Sequence, residues 1–172
     1  MIMKKVVIVL AVVLCSAVQM MAQNVGYINT QAILSQMPEY TVAQEKLNAL
    51  SNQYKEKVES ELRVVEQMYN KYMSIKGSLN EAQRAQQENA IIAKEKSAKE
   101  LRNVYFGQDG YLQKKSEELM SPIKAKVQKA IDKIAENENF IIIFDLSILQ
   151  GVVYDNPKYD LSAKVLEEIN AK

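Results

Sequence analysis

Apolar residues recur at spacings of three and four from Leu47 to Ile75, through Leu50, Tyr54, Val58, Leu62, Val65, Tyr69 and Tyr72. Such spacing is the mark of one helical stripe. Strand and turn signals are almost absent between Pro38 and Asn139, apart from Gly77 in Ile75-Lys76-Gly77-Ser78-Leu79-Asn80. The pattern predicts a long helix that starts near Glu39 to Thr41, a tip at Gly77 and a return helix from Leu79. From Thr41 to Lys76 the first helix spans about 54 Å at 1.5 Å rise per residue.

A hairpin centred on Gly77 sets Leu50 near Val104, Leu62 near Ile92, Tyr69 near Ala85 and Tyr72 near Ala82. Aliphatic then faces aliphatic, and large faces small. The early return helix is polar, with Glu81, Gln83, Arg84, Gln86, Gln87, Glu88 and Asn89. Gly107 and Gly110 predict a flexible point or kink, since glycine weakens a helix interior. Ser121-Pro122 reads either as a second kink or as an N-cap followed by proline. Leu112, Leu119, Ile123, Val127, Ala130, Ile131 and Ile134 continue a stronger stripe.

Short elements flank this region. Val25-Gly26-Tyr27-Ile28-Asn29 is β-prone, and Thr30 is a candidate N-cap for a brief helix through Ile33 and Leu34, ended by Met37-Pro38. Phe140-Ile141-Ile142-Ile143-Phe144 reads as a buried strand, and Val152-Val153-Tyr154 as another. Asp160 caps a last helix over Leu161 to Asn170, with Val165, Leu166 and Ile169 inward. The expected fold is α+β: a long antiparallel helical hairpin on a small β-sheet body. Val25, Tyr27, Ile28, Ile141, Ile142, Ile143 and Val153 are the expected body and oligomerisation residues. So thin a core points to oligomerisation.

The N-terminus changes the picture. Lys4 and Lys5 precede an apolar run from Val6 to Val18, and Met20-Met21-Ala22 offers a cleavage site. This predicts a signal peptide over residues 1–22 and an exported, periplasmic domain over 23–172. The run is short for a membrane span. Cys15 suggests a lipid anchor, but Leu14 stands where a lipobox wants a small residue, which favours cleavage after Ala22.

Beyond Cys15 the chain has no cysteine, and it has no histidine. Thiolate and imidazole metal sites and Cys/His nucleophiles are excluded, and no EF-hand loop offers a carboxylate site. With 22 Lys+Arg against 21 Asp+Glu, interleaved, the chain lacks the basic face of a nucleic-acid binder. No Walker loop, GxGxxG, GxSxG or HExxH is present, so neither enzyme nor cofactor is expected. Asp145 resembles a catalytic carboxylate at a strand end, but capping is the simpler role. Glu117-Glu118 and Glu167-Glu168 point in different directions from their helices. Met68, Met73, Ile91, Tyr105 and Phe106 do not all fit one seam. They are candidate client-contact residues, because methionine and aromatics suit adaptable contact.

The order of these elements resembles the Skp/OmpH-like family of periplasmic chaperones. The likeness is carried by Val25-Gly26-Tyr27-Ile28-Asn29, by Phe140 to Asp145 with Val152-Val153-Tyr154, and by Asp160-Leu161-Ser162. It spans nearly the whole chain beyond the leader. The resemblance implies a homotrimer whose β-rich body (23–40 and 116–172) carries coiled-coil tentacles (41–115). They enclose a cavity that holds unfolded outer-membrane proteins and other exported clients without ATP. Well-known members are strongly basic, whereas this chain is near neutral, which weakens any peripheral membrane or lipid contact. The rival reading is an exported coiled-coil structural or adaptor protein of the envelope, marked by one defined partner rather than many clients.

Overall fold

The computed structural model describes residues 24–171, so the signal peptide expected over 1–22 lies outside the described residues. The chain resolves into two compact units. One holds the described residues up to Ile33 together with those from Gln128 onward, and the other is Leu34–Val127.

In the first unit, β1 (Asn24–Ile28) pairs in parallel with β2 (Phe140–Asp145). Val25 lies opposite Ile142, Tyr27 opposite Phe144 and Ile28 opposite Asp145. The Leu146 N–H continues the ladder to the Ile28 carbonyl at 2.8 Å. The other edge of β1 is taken by the Leu161 N–H, which donates to the Tyr27 carbonyl at 2.8 Å, and by an isolated bridge from Tyr27 to Asp160. Glycine at 26 permits this approach, because a Cβ there would stand 2.6 Å from Leu161 Cδ1. The core of this unit is Ile28, Ile33, Ala130, Ile134, Leu161 and Val165, all buried.

Two expectations fail here. Val152-Val153-Tyr154 forms no strand: the backbone there is irregular and Val153 is 99% exposed. The free edge of β1 that a third strand would use is occupied by Asp160 and Leu161. The β2 strand is not buried in the single chain either, since Ile141 is 58% and Ile142 48% exposed. A sheet of two strands has too little cover for both faces of so apolar a run.

The short helix α1 (Thr30–Ser35) lies between β1 and the long helices in the chain. Its cap is Asn29, one residue before the expected Thr30: Asn29 Oδ1 accepts the Ala32 N–H at 3.0 Å. The helix α2 (Pro38–Ile75) begins on proline, whose fixed φ suits a first turn and whose missing N–H costs nothing there. A 3₁₀ turn over Lys76–Ser78 forms the tip. The helix α3 (Glu81–Phe106) starts two residues later than expected, on an Asn80–Gln83 capping box. After a break at Gly107–Gly110, α4 (Tyr111–Glu138) runs unbroken through Pro122. Ser121 is therefore inside the helix and not an N-cap. The last helix, α5 (Ser162–Asn170), buries Val165 and half-buries Leu166 and Ile169. Asp160 Oδ1 accepts the Ser162 N–H at 2.8 Å.

Within Leu34–Val127, burial is uneven. Leu34, Met37, Ala43, Ile123 and Val127 are buried, while beyond Ala43 the long α2–α3 pair buries only Val58, Tyr72 and Ala98. The hairpin register also differs from the expected one. Tyr54 meets Tyr105 and Phe106, Glu61 meets Lys94, and Tyr72 meets Glu88. The turn occupies Lys76 to Asn80, and side-chain partners on α3 fall later than expected by one residue for Glu61 and by six for Tyr72. Leu62, Tyr69, Ile92 and Val104 are exposed rather than buried at the seam.

Candidate functional site

Two regions carry the candidate residues. On the helical hairpin, four aromatic rings gather where α3 gives way to α4. Tyr105 stacks on Tyr54 with centroids 4.2 Å apart and planes 5° from parallel. Phe106 meets Tyr54 edge-on at 6.3 Å, and Tyr111 lies 6.1 Å from Tyr105. The Lys57 ammonium stands 5.8 Å from the Tyr105 ring centre. Offset and edge-on arrangements of this kind use the ring quadrupoles favourably. Tyr105 and Phe106 are half-buried and already partnered, so they are packing residues of the hairpin as it stands.

The other expected contact residues are spread out. Met68 and Ile91 are half-buried, whereas Met73 is exposed. Tyr69 and Ile92, expected to sit at the seam, join Met73 as large exposed side chains. The hairpin is laced with charge: Glu61–Lys94 bridges α2 and α3, and Lys99–Glu95 runs along α3 at 2.6 Å. The exposed Lys99–Glu95 pair contributes little to stability but keeps the surface solvated. Tyr72 is buried, and its hydroxyl donates to Glu88; that bond, with burial behind it, raises the phenol's pKa above the ordinary value.

A groove of about 540 Å³ lies between the start of α2 and the middle of α4. Its floor is Met37, Pro38, Val42, Ala43, Leu119 and Ile123, and Lys46 stands at its edge. Across it Lys126 Nζ reaches Glu39 Oε1 at 2.6 Å, which holds the Glu39 carboxyl below its usual range. No spacing rule in the sequence predicted this groove, because it depends on how α4 lies against α2.

The second region is the sheet. Of the expected body residues, Ile28 is buried and Val25, Tyr27 and Ile143 are half-buried, whereas Ile141, Ile142 and Val153 are exposed. Beside the sheet lies a hollow of about 550 Å³, lined by Val25, Tyr27, Phe144, Leu149, Val152 and Tyr154. The Tyr27 hydroxyl donates to Asp155 Oδ2 at 2.8 Å across this hollow. Burial, then the bond to Asp155, push the Tyr27 phenol up to about 12. Asp145 does the work of a cap: its Oδ1 accepts from the N–H of Thr30 at 3.1 Å and of Ser147 at 2.9 Å, and from the Ser147 hydroxyl at 2.7 Å. Burial pushes its pKa up, but those bonds outweigh it and the carboxyl stays below its ordinary value.

Among the described residues no group of three or more His, Cys, Asp or Glu is placed to hold a metal ion. No described helix is long and apolar enough to cross a membrane. What remains is a set of apolar and aromatic surfaces with interleaved charge.

The family model for OmpH-like outer membrane proteins matches residues 24–169. The chain belongs to the OmpH-like family. A crystal structure described as that of an OmpH-like outer membrane chaperone from Caulobacter crescentus CB15 has the same fold. The TM-score is 0.66 at 11% identity, over 86% of this chain and 83% of that one. No curated protein matches by sequence. At that identity the OmpH-like fold survives with most side chains changed.

Proposed function

We propose that the protein is an ATP-independent holdase of the periplasm, which binds unfolded outer-membrane and other exported proteins and keeps them from aggregating. Membership of the OmpH-like family supports the chaperone reading. The observation that carries the mechanism is the hairpin surface: Tyr69, Met73 and Ile92 stand exposed among charged side chains and gather into no closed pocket. Surfaces of that kind make weak, distributed contacts that hold a chain without a fixed pose. Isolating such chains opposes the association of their exposed apolar segments. Met68, Met73 and Ile91 are the contact residues this reading favours, with Tyr105 and Phe106 serving once their ring cluster opens.

The working form is proposed to be a homotrimer. A parallel two-stranded sheet with Ile141, Ile142 and Phe144 exposed is poorly covered in one chain, and neighbours would cover it.

Refolding a denatured outer-membrane barrel with and without the protein tests the holdase. Light scattering from the barrel should fall once the chaperone is stoichiometric as trimer; unchanged aggregation overturns the reading. Multi-angle light scattering on the protein alone should give three times the chain mass, and a stable monomer removes the enclosed cavity.

A further inference from the structure

The α2–α3 pair is built unlike the rest of its unit. Near the start of α2, Met37 and Ala43 are 2% and 3% exposed, and Ile123 and Val127 on α4 are similarly buried. Along α3 only Ala98 is buried, and every residue from 81 to 90 is exposed. What joins α3 to α2 is mostly polar or aromatic and only partly buried: the Glu61–Lys94 ion pair, the Tyr72–Glu88 hydrogen bond and the Tyr54–Tyr105 stack, beside the small buried Val58 and Ala98.

Both ends of α3 are finished independently of α2. At its start the Asn80 side chain accepts the Gln83 N–H at 2.9 Å, and the Gln83 side chain accepts the Asn80 N–H at 3.0 Å. At its end the Gly107 N–H closes onto the Asn103 carbonyl at 2.8 Å, and the Gly110 N–H onto the Gly107 carbonyl at 2.9 Å. Asp109 takes a left-handed φ of 63°, and its N–H donates to the Gln113 side chain at 3.1 Å. Helix ends are where unpaired backbone groups make separation costly. Here those groups are bonded within α3 and its joints, so parting α3 from α2 breaks side-chain contacts and leaves the caps intact.

We infer that α3 is a releasable strap: it parts from α2 about the joint at Gly107–Gly110, and the face it uncovers on α2 is a second binding surface for apolar segments of an unfolded polypeptide. The uncovered face carries Tyr54, Val58 and Tyr72, with Lys57 and Glu61 beside them. It suits an extended segment with apolar side chains, and parting also frees the ring faces of Tyr105 and Phe106. The inference rests on the holdase reading for the identity of the occupant, but not for the motion itself.

Hydrogen exchange followed by mass spectrometry on the full chain tests it. Without client, α3 amides should exchange at least about tenfold faster than α4 amides up to Val127, because a helix parted from its partner is marginal in water and its internal bonds then open readily. Lys94→Glu sets like charges at the Glu61 contact and should speed α3 further, leaving β1, β2 and α5 unchanged. Glu61→Lys combined with Lys94→Glu should restore the original rate. If α3 exchanges as slowly as α4, or if Lys94→Glu leaves it unmoved, there is no strap. Adding a denatured outer-membrane barrel, with its suppressed scattering as proof of binding, should speed α3 exchange again. If bound client slows α3 or leaves it unchanged, the seam is not a binding face, even though the holdase reading stands.

Discussion

Asp145 Oδ1 accepts the Thr30 N–H at 3.1 Å, so the residue that ends β2 also caps the helix after β1. The same oxygen closes the turn at Ser147. Asp145→Ala removes all three bonds and should lower unfolding free energy by about 1–2 kcal/mol, in line with a lost helix cap. Urea denaturation at neutral pH measures it. The carboxyl is held below its ordinary value in the fold, so its contribution is present above the unfolded pKa and disappears as pH falls through the folded one. Asp145→Asn should therefore flatten that part of the acid limb.

Tyr27 predicts the opposite limb. Its phenol is raised to about 12 in the folded chain against 10.0 for the free group. The stabilisation is complete below the unfolded value and is lost as pH climbs from there through the folded value. Wild type should lose more stability than Tyr27→Phe between those two pH values and not below them. Parallel pH slopes for the two proteins would show that the fold does not raise the Tyr27 phenol.

The glycines at the two bends should behave differently. A Cβ at Gly110 would lie 2.8 Å from the Gly107 carbonyl oxygen and 2.9 Å from that of Tyr105, both backbone atoms that cannot step aside. Gly110→Ala should cost about 1–3 kcal/mol, the usual penalty of forcing atoms into filled space. At Gly77 a Cβ meets nothing within 4 Å, and Gly77→Ala should leave the melting temperature within about two degrees of wild type. Thermal unfolding by circular dichroism separates the two.

Contact and packing roles on the hairpin are likewise separable. Met73 is exposed, so Met73→Asp should weaken suppression of barrel aggregation while leaving thermal unfolding unchanged. Tyr105→Ala removes a stacked ring and should lower stability by about 1 kcal/mol or more, whatever it does to client binding. A Met73→Asp protein that suppresses aggregation as well as wild type would remove Met73 from the contact surface.

Helical periodicity made the hairpin legible from Leu47 to Ile75, and the apolar run at Phe140–Phe144 marked a strand. The break at Gly107–Gly110 was also visible, since two glycines so close interrupt any helix. Register was harder. It depends on how many residues the turn consumes and on how far long side chains reach: Tyr72 bonds Glu88 instead of packing near Ala82, while Glu61 meets Lys94 within a residue of the expected pairing. Val152-Val153-Tyr154 has strand-forming residues, yet propensity cannot say that Asp160 and Leu161 already hold the edge of β1. The groove at Met37 and Ile123 was illegible for a related reason: it joins residues distant in sequence.

Parallel pairing of β1 with β2 has a consequence for timing. Thr30, next to β1, and Asp145, at the end of β2, lie 115 positions apart, with all three long helices between them. A chain made from its N-terminus exposes β1 first and cannot pair it until nearly everything else has emerged. Contacts so distant in sequence form late, because the intervening loop must close before they repay its entropy. The helices, whose bonds are local, have no such wait. The sheet, with the last helix that follows it, is thus among the last parts of this molecule able to fold, which keeps β1 unpaired until synthesis is almost complete.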